Sequence, residues 1–321
     1  MTAGTGDAGQ LTVGVLGGGA LGLGFALRVA LSRHVALVYE PDESRRGELG
    51  EELADRLATL GRYNLLDETP ATVARRVVIV RGLAEAIRGS ALVQECVAED
   101  LDIKRAVVAD AAADLGERTP MASSSSAIGP SRIFSASAVE DRGLVGHPLN
   151  PPHLIPVVEV VPSPMTDPRV TSRAEEVYRA MGMRPVLVHK EVDGFVTNRL
   201  QAALLREAYH LVADGVVAPD DVDALVRDGL GRRWCFMGPF ETADLNTRGG
   251  IATHAERLGP AYARFGRERE GQDPWRTGAV EEVTAARREI LSLEDWPERV
   301  RWRDEEIVRR MARRLAVEQE E

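Results

Sequence analysis

The chain has 321 residues, 44% of them hydrophobic and 28% charged, a balance that supports a buried core and leaves room for two domains. Its formal net charge is −10, the wrong sign for the basic face of a nucleic-acid binder, though a local arginine can still hold a small anion in an acidic protein. No stretch is apolar enough for a membrane helix, and residues 1–10 lack both the basic start and the apolar centre of a signal peptide, so they read as a disordered leader.

Residues 11–16 form a short apolar run that predicts a strand, and it runs into Gly17-Gly18-Gly19. Helix formers follow over Ala20–Leu31, then a second strand over Val35–Tyr39 that closes with Glu40 and Pro41. A charged amphipathic helix is expected over residues 42–60. Further strand-like runs lie at Val77–Val80 and at residues 91–96, 144–147, 157–161 and 185–189, with helical stretches at 101–115 and 168–181. Strands alternating with helices predict a Rossmann-type, doubly wound and mainly parallel sheet of the α/β class. Past about residue 190 the alternation stops. Segments 195–214, 219–228, 250–265, 279–293 and 299–318 all look helical, so a nucleotide-binding domain over 1–190 should precede an all-α domain over 191–321.

The sharpest motif is Gly17-x-Gly19-x-x-Gly22, placed between a predicted strand and a predicted helix. The first glycine permits a tight turn, the second a close backbone approach to a pyrophosphate, and the third close packing of helix on strand. The helix N-terminus, at Ala20 and Leu21, then offers N–H groups and the positive end of its dipole. Glu40 falls 18 residues after Gly22, at the end of the second strand, where a carboxylate accepts hydrogen bonds from ribose hydroxyls. It would also repel a 2′-phosphate, which favours NAD over NADP. One residue here has no evident purpose: Gly24, inside the predicted helix.

Val157-Val158-Glu159-Val160-Val161 is a buried-strand pattern with one carboxylate in its middle. Glu159 either faces solvent on an edge strand or has a partner, since an unpaired buried charge is costly. His147, at the end of an apolar segment and followed by Pro148, is the candidate partner. A histidine held by a carboxylate suits general acid–base chemistry, and an ordinary buried ion pair is the alternative.

Other residue types say less. Cys96 and Cys235 have neither disulfide nor metal-ligand spacing, which fits a reducing cytoplasm. His153, His189, His210 and His254 are scattered, and no metal is expected.

Several motifs in fixed order resemble the 3-hydroxyacyl-CoA dehydrogenase superfamily, and most closely its lambda-crystallin / L-gulonate 3-dehydrogenase branch. They are Gly17–Gly22, Gln94-Glu95-Cys96, Ser123–Ser126, Gly146–Pro152, Glu159, Gly194-Phe195-Val196-x-Asn198-Arg199-Leu200, Gly229-Leu230-Gly231-x-Arg233 and Gly238-Pro239-x-Glu241-Thr242. The resemblance implies a Rossmann domain followed by a helical domain that carries a homodimer interface. It implies that His147 is the general base and that Glu159 orients it. Ser126 and Asn198 would hydrogen-bond the reacting hydroxyl, with Ser124 and Ser125 as alternatives to Ser126. Glu95 and Lys104 would lie near the nicotinamide ribose and the substrate.

Arg233, or Arg232 beside it, matches an arginine of relatives that act on free 3-hydroxy acids, and a guanidinium can grip a carboxylate bidentately. The expected function is therefore NAD-dependent oxidation of a free 3-hydroxy acid, with an L-gulonate-like sugar acid favoured. A 3-hydroxyacyl-CoA or acyl-carrier thioester, carnitine, and a non-catalytic crystallin-like role are the alternatives.

Overall fold

A computed structural model describes residues 9–276 and 278–320; most of the leader read at residues 1–10 thus lies outside the described residues. The chain divides into two compact units, residues 1–199 with 298–321, and residues 200–297.

The first unit is built on one sheet of eight strands: β1 Thr12–Leu16, β2 Val35–Tyr39, β3 Val77–Val80, β4 Leu92–Glu95, β5 Met121–Ser123, β6 Gly143–Pro148, β7 Val157–Pro162 and β8 Arg184–Leu187. Their order is β3-β2-β1-β4-β5-β6-β7-β8. Every neighbouring pair is parallel except β6 with β7. Residues 149–156 are too few for a crossover helix, so β7 can only turn back beside β6. The doubly wound parallel architecture expected from sequence is present, and β1 sits at its switch point, flanked by β2 and β4. Ligands bind at such a point, beyond the strand C-termini. Helices α1 (Ala20–Leu31) and α2 (Glu43–Arg62) follow β1 and β2.

Apolar side chains fill both faces of the sheet. Phe25, Leu27 and Val29 of α1 pack with Val13 and Val15 on one, and Leu16, Val93 and Met121 with Phe134 on the other. α2 starts cleanly because the Asp42 carboxylate accepts from the Ser44 and Arg45 amides.

Among the described residues of the second unit every regular element is a helix, as expected. The segment expected as one helix over 219–228 splits into an α-helix, Pro219–Ala224, and a π-helical turn, Leu225–Leu230. The last helix, Trp296–Glu320, belongs mostly to the first unit instead of the second. Its Val308 is buried in the α1/α2 core, and Tyr63 donates to Glu305 at 2.8 Å. No helix among the described residues is long and apolar enough to cross a membrane.

Candidate active site

The glycine loop joins β1 to α1 under close constraint. Gly17 has φ +112°, and a Cβ there would lie 2.8 Å from the Cys96 carbonyl oxygen. A Cβ on Gly22 would lie 2.0 Å from the Gly17 carbonyl oxygen. Gly19 differs: it caps α1 with ordinary backbone angles, and nothing lies within 4 Å of where its Cβ would be. No side chain caps α1 and its first turn holds no acid, so its N-terminus presents amides and a positive dipole end. The Glu40 carboxylate closes the loop from β2. It accepts from the Gly18 amide at 2.8 Å and the Asp42 amide at 3.0 Å.

His147 and Glu159 stand opposite each other in the antiparallel register of β6 and β7, which puts both side chains on one face. His147 Nδ1 is 2.8 Å from Glu159 Oε2. The other carboxylate oxygen accepts from the Val196 and Thr197 amides, both at 2.9 Å. These amides begin the helix Thr197–Ala213. They are aimed by two successive left-handed residues, Gly194 at φ +72° and Phe195 at φ +51°. Left-handed backbone is unusual for a bulky residue. Phe195 is held there by complete burial and by its ring, 5.8 Å from that of His147. Glu159 thus meets an imidazole on one side and a helix N-terminus on the other, which excludes the solvent-facing alternative. A carboxylate on Nδ1 makes that nitrogen the donor, so Nε2 carries the lone pair.

Of the four consecutive serines, Ser123 ends β5 and the three in the loop after it have different fates. Ser124 Oγ meets Gln94 at 2.7 Å and Cys96 Sγ at 3.2 Å; Ser125 Oγ donates to Glu99 at 2.6 Å. Both serines are buried, and Ser126 is exposed. Asn198 donates to the Ser126 carbonyl at 2.6 Å.

Glu95 and Lys104, expected beside a cofactor, face inward. They form an ion pair at 3.0 Å with side chains 0% and 1% exposed, and Ser123 donates to Glu95 as well. The partly exposed carboxylate nearby is Glu99, which sequence reading passed over. It accepts from Ser125 Oγ and from the amides of Ser126 and Ala127, and lies 3.3 Å from Lys104. Burial would raise its pKa, but those bonds and Lys104 hold it below the ordinary value. Its one advance signal was its place two residues before the helix Leu101–Ala111, within reach of any loop after β5.

Gly24 also finds its reason. A Cβ there would meet Arg56, Pro152 and His153 at 3.2–3.3 Å, so the glycine lets the chain beyond β6 lie against α1. Burial, with Arg56 and Arg28 nearby, pushes the His153 imidazole down to about 3, leaving it neutral. Arg232 and Arg233 lie on the short helix Gly231–Trp234 of the second unit, both exposed.

The family model described as 3-hydroxyacyl-CoA dehydrogenase, NAD binding domain, matches residues 12–192, and that of the C-terminal domain matches residues 194–288. The chain belongs to the 3-hydroxyacyl-CoA dehydrogenase family. Among relatives, lambda-crystallin of Oryctolagus cuniculus is 41% identical over 234 residues, 72% of each chain. L-carnitine dehydrogenase of Pseudomonas putida is 35% identical over 251 residues, 78% of this chain and 77% of that one. Of solved structures, an NAD+-dependent 5-formyl-3-hydroxy-2-methylpyridine 4-carboxylic acid 5-dehydrogenase aligns with TM-score 0.71 and 26% identity, covering 95% of this chain and 99% of that one.

Family membership makes NAD the cofactor, and the residues present fit it. The space a side chain would fill at Gly19, the uncapped amides of Ala20 and Leu21, and the Glu40 carboxylate make a cradle for a pyrophosphate and a ribose.

The Glu159 environment makes stability in this family member depend on pH. Burial alone would raise its carboxyl, but the bonds from His147, Thr197 and Val196 hold it below the ordinary value. A carboxyl lowered by folding stabilises the native state above its unfolded pKa, and that contribution is lost as pH falls through the folded value. Glu159→Gln should therefore be less stable than the wild type at neutral pH, with the gap closing as pH falls below the ordinary carboxylate range. Urea unfolding at a series of pH values measures it. A gap that persists unchanged into acid would show that the charge is not what stabilises.

Proposed function

We propose that the chain is an NAD-dependent dehydrogenase that oxidises the 3-hydroxyl of a free 3-hydroxy acid, with an L-gulonate-like sugar acid favoured. The observation that carries it is the His147–Glu159 pair, in which Nδ1 is committed to a carboxylate and Nε2 is left to act as base. Ser126, the exposed serine of its loop, and Asn198, bonded to that loop, would orient the reacting oxygen. Gly17, Gly19, Ala20, Leu21, Gly22 and Glu40 would hold the cofactor. When bound, NAD supplies the acceptor for the hydride from C3. His147 Nε2 takes the hydroxyl proton as the carbonyl forms, and Glu159 stabilises the resulting imidazolium, so charge and atoms balance.

A free acid is favoured over a thioester because the sequence resemblance assigns a carboxylate to Arg233, and because the Pseudomonas putida relative is named for carnitine, itself a free 3-hydroxy acid. The lambda-crystallin name of other relatives raises a structural role, which the presence of His147, Glu159, Ser126 and Asn198 together in one sequence argues against. NADH absorbance with matched free 3-hydroxy acids and their CoA thioesters decides the substrate class. We expect the acids to win, and Arg233→Ala to lower kcat/KM for them about 10- to 100-fold, the loss of a hydrogen bond to a charged group. A thioester that outpaces every acid would overturn the assignment.

A homodimer is part of the same proposal. Among the described residues of the helical unit, only His210, Val212, Thr242, Pro274 and Ala279 are buried. Phe236, Phe240 and Leu245 are each about two-thirds exposed or more. So little core calls for a covering surface. Light scattering should give twice the chain mass; a monomer would refute this.

A further inference from the structure

β5 pairs with β6 only as far as Ser123 opposite Val145, while β6 runs on to Pro148. The two chains part at this point. The loop after β5 leads to Ser126, and β6 leads to His147. One buried side chain bridges the opening. Gln94, on β4 and 0% exposed, uses both amide hydrogens: Nε2 donates to Ser124 Oγ at 2.7 Å and to the Gly146 carbonyl at 2.9 Å. Its Oε1 accepts from Tyr178 at 2.7 Å.

The amide cannot be turned over. A carbonyl only accepts, so the NH2 end must face Gly146, and Oε1 must face Tyr178. Tyr178 is a dependable donor, because burial raises its hydroxyl far above neutral pH. Space is as constrained as bonding. A Cβ on Gly146 would lie 1.9 Å from the Tyr178 oxygen, so the strand, the phenol and the amide fit only with glycine there. Gln94 therefore reaches one residue short of His147 and two short of Ser126.

We propose that Gln94 is a positioning residue, which sets the separation between the serine loop and His147 by bonding to both chains where they diverge. The inference rests on the reading of His147 as base and Ser126 as substrate contact. It assigns a task to a glutamine that touches neither substrate nor cofactor. Displacements of about 1 Å at reacting groups can cost on the order of 100-fold in rate.

The test is Gln94→Met, which keeps the bulk and removes both donors. It is expected to lower kcat by about 100-fold, with the affinity for NAD, read by NADH fluorescence, within about twofold of wild type. A general loss of structure would weaken NAD binding along with kcat. Ser124→Ala, which cuts the loop-side bond and the Cys96 Sγ contact but leaves the bond from Gln94 to Gly146, should lower kcat about tenfold and add little to Gln94→Met in the double variant. It also serves as the test should Gln94→Met not fold. Wild-type kcat in the folded variants, or kcat and NAD affinity falling in parallel, would overturn the proposal. His147→Ala run beside them separates the readings. If it is inactive while Gln94→Met is not, only the role of Gln94 fails. If it remains active, the reading of the site itself fails.

Discussion

Replacing His147 with alanine is expected to lower kcat by about 10²- to 10⁴-fold, the contribution of a positioned general base. NAD binding should change by less than about twofold, because the glycine cradle and Glu40 lie at β1 and β2, away from β6 and β7. The substitution also costs stability: Glu159 loses one hydrogen bond, and Phe195 loses a ring beside it. A hydrogen bond to a charged group contributes about 1.5–3 kcal/mol. The rate effect corresponds to about 3–5.5 kcal/mol. The loss of turnover should therefore exceed what any melting of the protein explains at the assay temperature. Turnover within tenfold of wild type, in a variant that still binds NAD, would remove His147 from the chemistry.

The parts of this site that could be read in advance are those held by local pattern. Gly17, Gly19 and Gly22 stand between a strand and a helix in the sequence itself, and α1 and β2 fall where their residues indicate. The His147–Glu159 pair was legible because a charge in a valine-rich strand needs a partner, and β6 and β7 supply it through register. What depends on distant segments was not legible. β5 is three residues long and ends in serine, so no periodicity marks it. Lys104 and Glu95 lie nine positions apart, a spacing as suited to a cofactor contact as to the internal pair they form; only burial separates these outcomes. Gly24 looked like a flaw in a helix until the loop beyond β6 was seen against it. The helix Trp296–Glu320 carries a helical pattern alone, and that pattern cannot say which unit it packs on.

Two glycines of the same loop should respond to alanine in different ways, and the contrast tests how the loop works. Gly22→Ala places a methyl 2.0 Å from the Gly17 carbonyl oxygen and 3.3 Å from the Cys96 Cβ. The first obstacle is backbone, which no rotamer change can clear, so α1 must shift from β1. Overpacking of this kind costs about 1–3 kcal/mol. In a chain of 321 residues that corresponds to a fall in Tm of about 2–5 °C. The same shift carries the α1 amides away from the pyrophosphate position, so NAD affinity should fall about tenfold or more. Gly19→Ala meets nothing within 4 Å and keeps an ordinary φ of −65°. The protein alone should tolerate it, with Tm within about 2 °C of wild type, yet the methyl would stand in the space a dinucleotide backbone must cross. NAD affinity should then fall without loss of stability. Thermal melts paired with NADH fluorescence titrations distinguish the two effects. Wild-type NAD affinity in a folded Gly19→Ala would mean that the pyrophosphate does not pass over this glycine, and the cradle would have to be placed elsewhere on the loop.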